Sequence, residues 1–163
     1  MLTSPRRRLA ALAVVLLLPT LGACGFGYQT DQVYQPGVGV NDRSETVNVL
    51  GAVVVSTSEG RGTFVASIVN RDVEESDSLS GVTGEDVEAQ VSAPVEIAPD
   101  SLVNLADTGA VGVTGEGITP GAFTRLTLTF ESGQEVELNV PVVPYEDEYR
   151  DIKPASSSPS ATP

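Results

Sequence analysis

The chain has 163 residues, with 22 acidic and nine basic side chains, no histidine, no tryptophan and a net charge of -13. Nothing in that balance supplies the cationic stripe that phosphate neutralisation needs, so nucleic acid is excluded as a main partner. The absent imidazole removes Ser-His-Asp and Cys-His chemistry, and a single cysteine allows no disulfide within the chain.

Arg6, Arg7 and Arg8 precede an apolar run over residues 9–18. Ten residues are too few to span a bilayer, which takes about 20, so the pattern reads as an export signal covering residues 1–23. Leu21, Gly22, Ala23 and Cys24 then resemble the lipobox of bacterial lipoproteins. That resemblance implies a Cys24 diacylated on sulfur, heading the mature chain and holding it on the outer face of the cytoplasmic membrane. The alternative is an ordinary signal peptide cut near Ala23, which would leave an unpaired exported thiol. The remaining 140 residues set six basic against 22 acidic side chains, so anionic headgroups repel this surface and the acyl chains must supply the attachment.

Residues 24–44 lack apolar periodicity and read as a tether, whose aromatic Tyr28 and Tyr34 could lie at headgroup level or against the domain. Residues 45–143 carry strand patterning throughout. The segments 46–56 and 63–70 are rich in β-branched residues and apolar on both faces for part of their length, as central strands are, with Val47, Val49, Val53 and Val55 expected on one face. Shorter strands are expected at 78–82, 87–92, 101–105 and 111–114, separated by Gly, Pro and Asp. The strict alternation of Leu126, Leu128 and Phe130, and of Val136, Leu138, Val140 and Val142, predicts an antiparallel pair closed by the Glu131-Ser132-Gly133-Gln134 loop. Pro141 belongs at an edge or strand end, because it has no N–H for a ladder. Residues 144–163, acidic and then Ser/Pro-rich, read as a disordered tail that could be glycosylated or bare. The whole predicts an all-β, antiparallel sandwich of seven to nine strands, with Phe64, Phe123 and Phe130 as its core aromatics.

The run Gly62-Thr63-Phe64-Val65-Ala66-Ser67-Ile68-Val69-Asn70-Arg71, followed by Leu79-Ser80-Gly81-Val82, Val87-Glu88-Ala89-Gln90-Val91 and Leu126-Thr127-Leu128-Thr129-Phe130, resembles the PCuAC periplasmic copper chaperones and, within them, actinobacterial lipoproteins of the LpqE type. The resemblance implies a cupredoxin-like Greek-key sandwich. It further implies a lipid-anchored accessory subunit whose partner is an envelope protein, in the LpqE case the respiratory bcc-aa3 supercomplex; the alternatives are copper delivery or homeostasis, as in the chaperones it resembles, and binding of a small envelope ligand such as a lipid or glycan. The family binds Cu(I) through histidine and methionine, and here the chain departs from it. The segments at those places offer Glu88, Gln90 and Ser92, and Ala110 to Thr114, while the one methionine is Met1. Oxygen donors do not replace thioether and imidazole for Cu(I), so no copper ligand and no cofactor is expected.

Other chemistry is equally thin. A Ser-Lys dyad would have only Lys153, in the tail, and a carboxylate pair has no aromatic cleft around it, so the chain is not expected to be an enzyme. Asp72, Glu74, Glu75 and Asp77 form an acidic loop of the kind that can hold calcium, or that keeps an edge soluble; their spacing matches no EF-hand. Gly81-Val82-Thr83-Gly84-Glu85 recurs as Gly112-Val113-Thr114-Gly115-Glu116, either as a pair of ligand-facing loops or as one turn chemistry used twice.

Overall fold

A computed structural model describes residues 38–155; the export segment, the lipobox and most of the tether, and the chain from Ser156 onward, lie outside the described residues. The elements are β1 (Val40–Asp42), β2 (Val47–Ser58), β3 (Arg61–Asn70), β4 (Asp77–Gly84), β5 (Glu88–Val91), β6 (Val95–Ile97), β7 (Ser101–Asn104), β8 (Val111–Thr114), β9 (Phe123–Phe130) and β10 (Glu135–Pro144). The two helical segments among the described residues are single 3-10 turns, at Leu105–Asp107 and Asp147–Tyr149. Neither is long and apolar enough to cross a membrane.

The strands form one curled sheet in the order β5-β8-β3-β2-β10-β9-β4-β6, with β1 added to β2 and β7 to β3. The fold is all-β and cupredoxin-like. β10 makes the fold possible by serving both layers. Its first part pairs antiparallel with β9, from Glu135 opposite Thr129 to Pro141 opposite Phe123. From Val142 it runs parallel to Val54, Val55 and Ser56 of β2. Pro141 therefore stands where the strand changes partner, a place where a missing N–H costs little. The expected β9–β10 hairpin is present; the parallel β10–β2 pair departs from a purely antiparallel sandwich. The layers enclose a core containing Val49, Phe64, Ile68, Leu79, Leu126, Leu128, Phe130 and Val140, each at most 2 % exposed.

Four expectations are corrected. Val47 and Val49 lie in this core, but Val53 and Val55 join a second cluster on the outer face, with Val65, Val143 and Ile152. The cause is a bulge between Leu50 and Val53, where Gly51 takes φ 63° and donates its N–H to Asn41 Oδ1 at 2.7 Å. One extra residue in the strand reverses the faces of the residues after it, up to the second register shift between Ser56 and Ser58. Phe123 is 62 % exposed rather than in the core, because the buried residues of β9 are Thr124, Leu126, Leu128 and Phe130, with which it is out of phase. The ordered domain also begins before residue 45, since β1 adds to β2 with Val40 opposite Ala52. Nor does order end at residue 143: Ile152 is buried against the outer face, Lys153 N–H donates to the Ala106 carbonyl at 3.0 Å, and Ala155 N–H donates to Thr63 Oγ1 at 2.8 Å.

Candidate functional site

At one end of the sandwich, the segments singled out by the family resemblance become neighbours. β5 and β8 pair antiparallel, placing Glu88 opposite Thr114, Gln90 opposite Gly112 and Val91 opposite Val111. Ser92 continues the contact, donating its N–H and its hydroxyl to the Ala110 carbonyl at 2.8 and 3.1 Å. Alternation turns Val111 and Val113 into the core and leaves Glu88 and Gln90 on the opposite side.

The repeated Gly-Val-Thr-Gly-Glu motif meets at a single side chain. A Cβ built on Gly84 would collide with the Val87 Cγ2 and carbonyl, and one on Gly115 would lie 2.9 Å from Val87 Cγ1. Gly115 also has φ 153° and donates its N–H to the Gly60 carbonyl at 3.0 Å. One glycine from each copy thus makes room for Val87, which plugs the end of the core. The motif is shared turn chemistry serving one packing site. Around the plug a shallow open hollow is lined by Glu85, Asp86, Glu88, Thr114 and the glycine backbone. Arg125 Nη1 reaches Glu85 Oε2 at 2.8 Å and its Nε reaches Glu137 Oε1 at 3.3 Å, with all three side chains at least half exposed. This end presents carboxylates, an amide and hydroxyls, with an apolar floor.

At the other end, the acidic loop is held by backbone donors. Asp72 Oδ1 accepts from the N–H groups of Glu74 at 2.8 Å and Glu75 at 2.9 Å, and these bonds lower its carboxyl pKa below the ordinary value. Asp77 Oδ1 accepts from Ser78 N–H at 2.7 Å and Ser132 N–H at 3.1 Å, joining the start of β4 to the β9–β10 hairpin. Asn70, 1 % exposed, donates to the carbonyls of Glu75 and Ile97 and accepts from Asp72 N–H. Gln134 makes a paired contact with Val47, at 2.9 Å to its N–H and 2.7 Å to its carbonyl.

Of the calcium candidates, Asp72 and Asp77 are therefore turned to backbone amides, while Glu74 and Glu75 are exposed. The loop does not bring the four carboxylates onto one point: among the described residues no group of three or more His, Cys, Asp or Glu side chains is placed to hold a metal ion. The roles of Val87, Asn70 and Gln134 had no local signal beyond the repeated glycines and an asparagine closing a strand. Leu21, Gly22, Ala23 and Cys24 lie outside the described residues.

The curled sheet has the cupredoxin-like fold of PCuAC domains. Among solved structures, the apo PCuAC domain from PmoF1 superposes with a TM-score of 0.55 at 22% identity, over 63% of this chain and 98% of that one. The copper-bound PCuAC domain from PmoF2 gives 0.52 at 22% identity, over 64% of this chain and 98% of its own, and the apo PmoF2 domain gives 0.52 at 20%, over 66% and 98%. No protein-family model and no curated protein matches the sequence. At these identities the likeness is one of fold.

Proposed function

We propose that this protein is a non-catalytic, lipid-anchored accessory module, held at the outer face of the cytoplasmic membrane through Cys24 and acting by docking a PCuAC-type sandwich onto an envelope protein. The observation that carries this reading is the donor chemistry of the β5–β8 end. A fold shared with a copper-bound domain here carries Glu88, Gln90, Thr114 and an apolar Val87 plug, in a chain with no histidine and methionine only at Met1. Those groups do not fit Cu(I), which selects thioether, thiolate and imidazole. With soft ligands absent and no nucleophile–base pair available, surface shape and charge are the means of action that remain. The LpqE-type resemblance supports the respiratory bcc-aa3 supercomplex as the concrete partner.

Affinity purification of the tagged chain from membranes in mild detergent tests this directly. Co-recovery of respiratory subunits, lost when Cys24 is replaced by Ala, is the expected result. Recovery of the protein alone from several detergents overturns the partner. A second reading, copper handling, is favoured by the fold likeness to a copper-bound domain. It requires the purified domain to bind one Cu(I) with submicromolar affinity in competition with a chelator, and no such binding is expected.

A further inference from the structure

The outer face of the sheet carries two groups of apolar side chains: Val53, Val55, Val65 and Val143 on β2, β3 and the end of β10, and Val69 with Leu102 on β3 and β7, set apart by Ser67 and Asn104. Register places Leu102 opposite Val69 and Val65 opposite Val53. Ile152 and Tyr149 pack over Val53, Val55, Val65 and Val143, whereas Leu102 is 57 % exposed.

The covering segment, residues 145–155, is held by little. Ile152 is its one buried side chain, and Tyr149 is half-buried. Among the described residues, its hydrogen bonds to the body include Lys153 N–H to the Ala106 carbonyl and Ala155 N–H to Thr63 Oγ1. Close passage over Gly109, where a Cβ would lie 2.9 Å from the Lys153 and Pro154 carbonyls, guides the chain without adding an anchor. Asp147 holds φ 48°, a left-handed conformation unfavourable for a residue with a Cβ. The segment also carries four acidic and two basic side chains and lies on a body, residues 38–144, with 17 acidic and four basic ones. Like charge therefore pushes it away, and salt screens that push.

We propose that residues 145–155 are a releasable strap: a segment of the chain that occupies the Val53–Val65–Val143 patch in cis and opens without unfolding the sandwich, uncovering that patch. The apolar contacts of Ile152 and Tyr149 and two hydrogen bonds, one to a carbonyl and one to a hydroxyl, are set against the ordering entropy of eleven residues, whereas the strands beneath are tied on both edges. Opening of the strap is thus a local event.

Amide hydrogen exchange on the full chain tests this. The Lys153 and Ala155 amides are expected to exchange at least about 100-fold faster than those of Phe64 and Ile68, and to slow several-fold relative to them when salt is raised to about 0.5 M. Thr63→Val should speed Ala155 exchange about tenfold and leave β3 unchanged. Ile152→Asp should raise binding of the apolar dye ANS several-fold while the circular-dichroism spectrum stays that of a folded β protein. Exchange of Lys153 and Ala155 at the same rate as Phe64 would overturn the proposal, because the segment would then open only with the whole domain. Collapse of the fold in Ile152→Asp, or strap exchange indifferent to salt and to Thr63→Val, would overturn it as well.

Discussion

Asn70 is the side chain on which the acidic end of the domain turns, and replacing it gives the sharpest test of the site geometry. It closes β3, is 1 % exposed, and uses both ends of its amide: Nδ2 donates to the Glu75 carbonyl at 2.8 Å and the Ile97 carbonyl at 3.3 Å, while Oδ1 accepts from Asp72 N–H at 2.9 Å. Asp72 in turn holds Asp100 N–H through its carbonyl at 2.7 Å, so the β3–β4 loop and the β6–β7 turn share one node. Each neutral hydrogen bond contributes about 1 kcal/mol net, and an orphaned buried partner costs more than the bond itself gave. Asn70→Ala removes three bonds and should cost about 3 kcal/mol, roughly 10–15 °C in Tm for a domain of this size. Asn70→Asp keeps the acceptor for Asp72 N–H but aims a carboxylate at two carbonyls. Burial and that repulsion raise its folded pKa above the unfolded value, so the charged form opposes folding; the penalty is full above the folded pKa and shrinks as pH falls through it toward the unfolded one. Urea unfolding followed by circular dichroism reads both, through a lower midpoint at an unchanged slope. If both variants lie within about 0.5 kcal/mol of the parent at pH 7, the node is decorative and the reasoning fails.

At the opposite end, Gly84→Ala should destabilise by about 1–3 kcal/mol through collision with Val87, and by at least about 1 kcal/mol less in a Val87→Ala background; additive losses in that double-mutant cycle would remove Val87 as the shared neighbour. Gly51→Ala meets no atom within 4 Å, so only its φ of 63° opposes it; a loss of about 1 kcal/mol is expected in urea melts, and a loss above about 3 would mean that the bulge is constrained by more than backbone conformation. The Asp72 carboxyl should titrate by NMR below 3.8, its ordinary value. Its folded pKa is depressed, so its stabilising contribution is present at neutral pH and lost as pH falls through that depressed value; Asp72→Asn should flatten this part of the acid limb.

What could be read from residues alone depended on whether the cause was local. The β9–β10 hairpin follows from period-two alternation and a glycine-bearing loop, and its register, Val136 opposite Leu128 and Leu138 opposite Leu126, needs nothing else. β2 defeats the same rule. Its valines alternate as if the strand were regular, and only Gly51, a weak signal within a β-branched run, marks the bulge that sends Val53 and Val55 to the other face. β1, β6 and residues 145–155 were missed for another reason. Each is short and weakly apolar, and each is ordered by the partner it lies against, which no window of sequence contains. The acidic loop shows the same limit in its chemistry: whether a carboxylate faces a cation, water or a backbone amide is decided by turn geometry, and in Asp72 and Asp77 the amides won.

The β5–β8 end closes its part of the core with a valine while presenting only hard donors, Glu88, Gln90 and Thr114. Holding Cu(I) there would take two changes, soft donors on the presented positions and room at the end of the core to receive the ion. Substituting Glu88 and Gln90 with His and Met would answer only the first. Val87 would still fill the end of the core, wedged between two positions where any side chain larger than hydrogen collides with it. Opening that end means cutting back Val87, which leaves an apolar void rather than a ligand shell and costs stability in proportion to its volume.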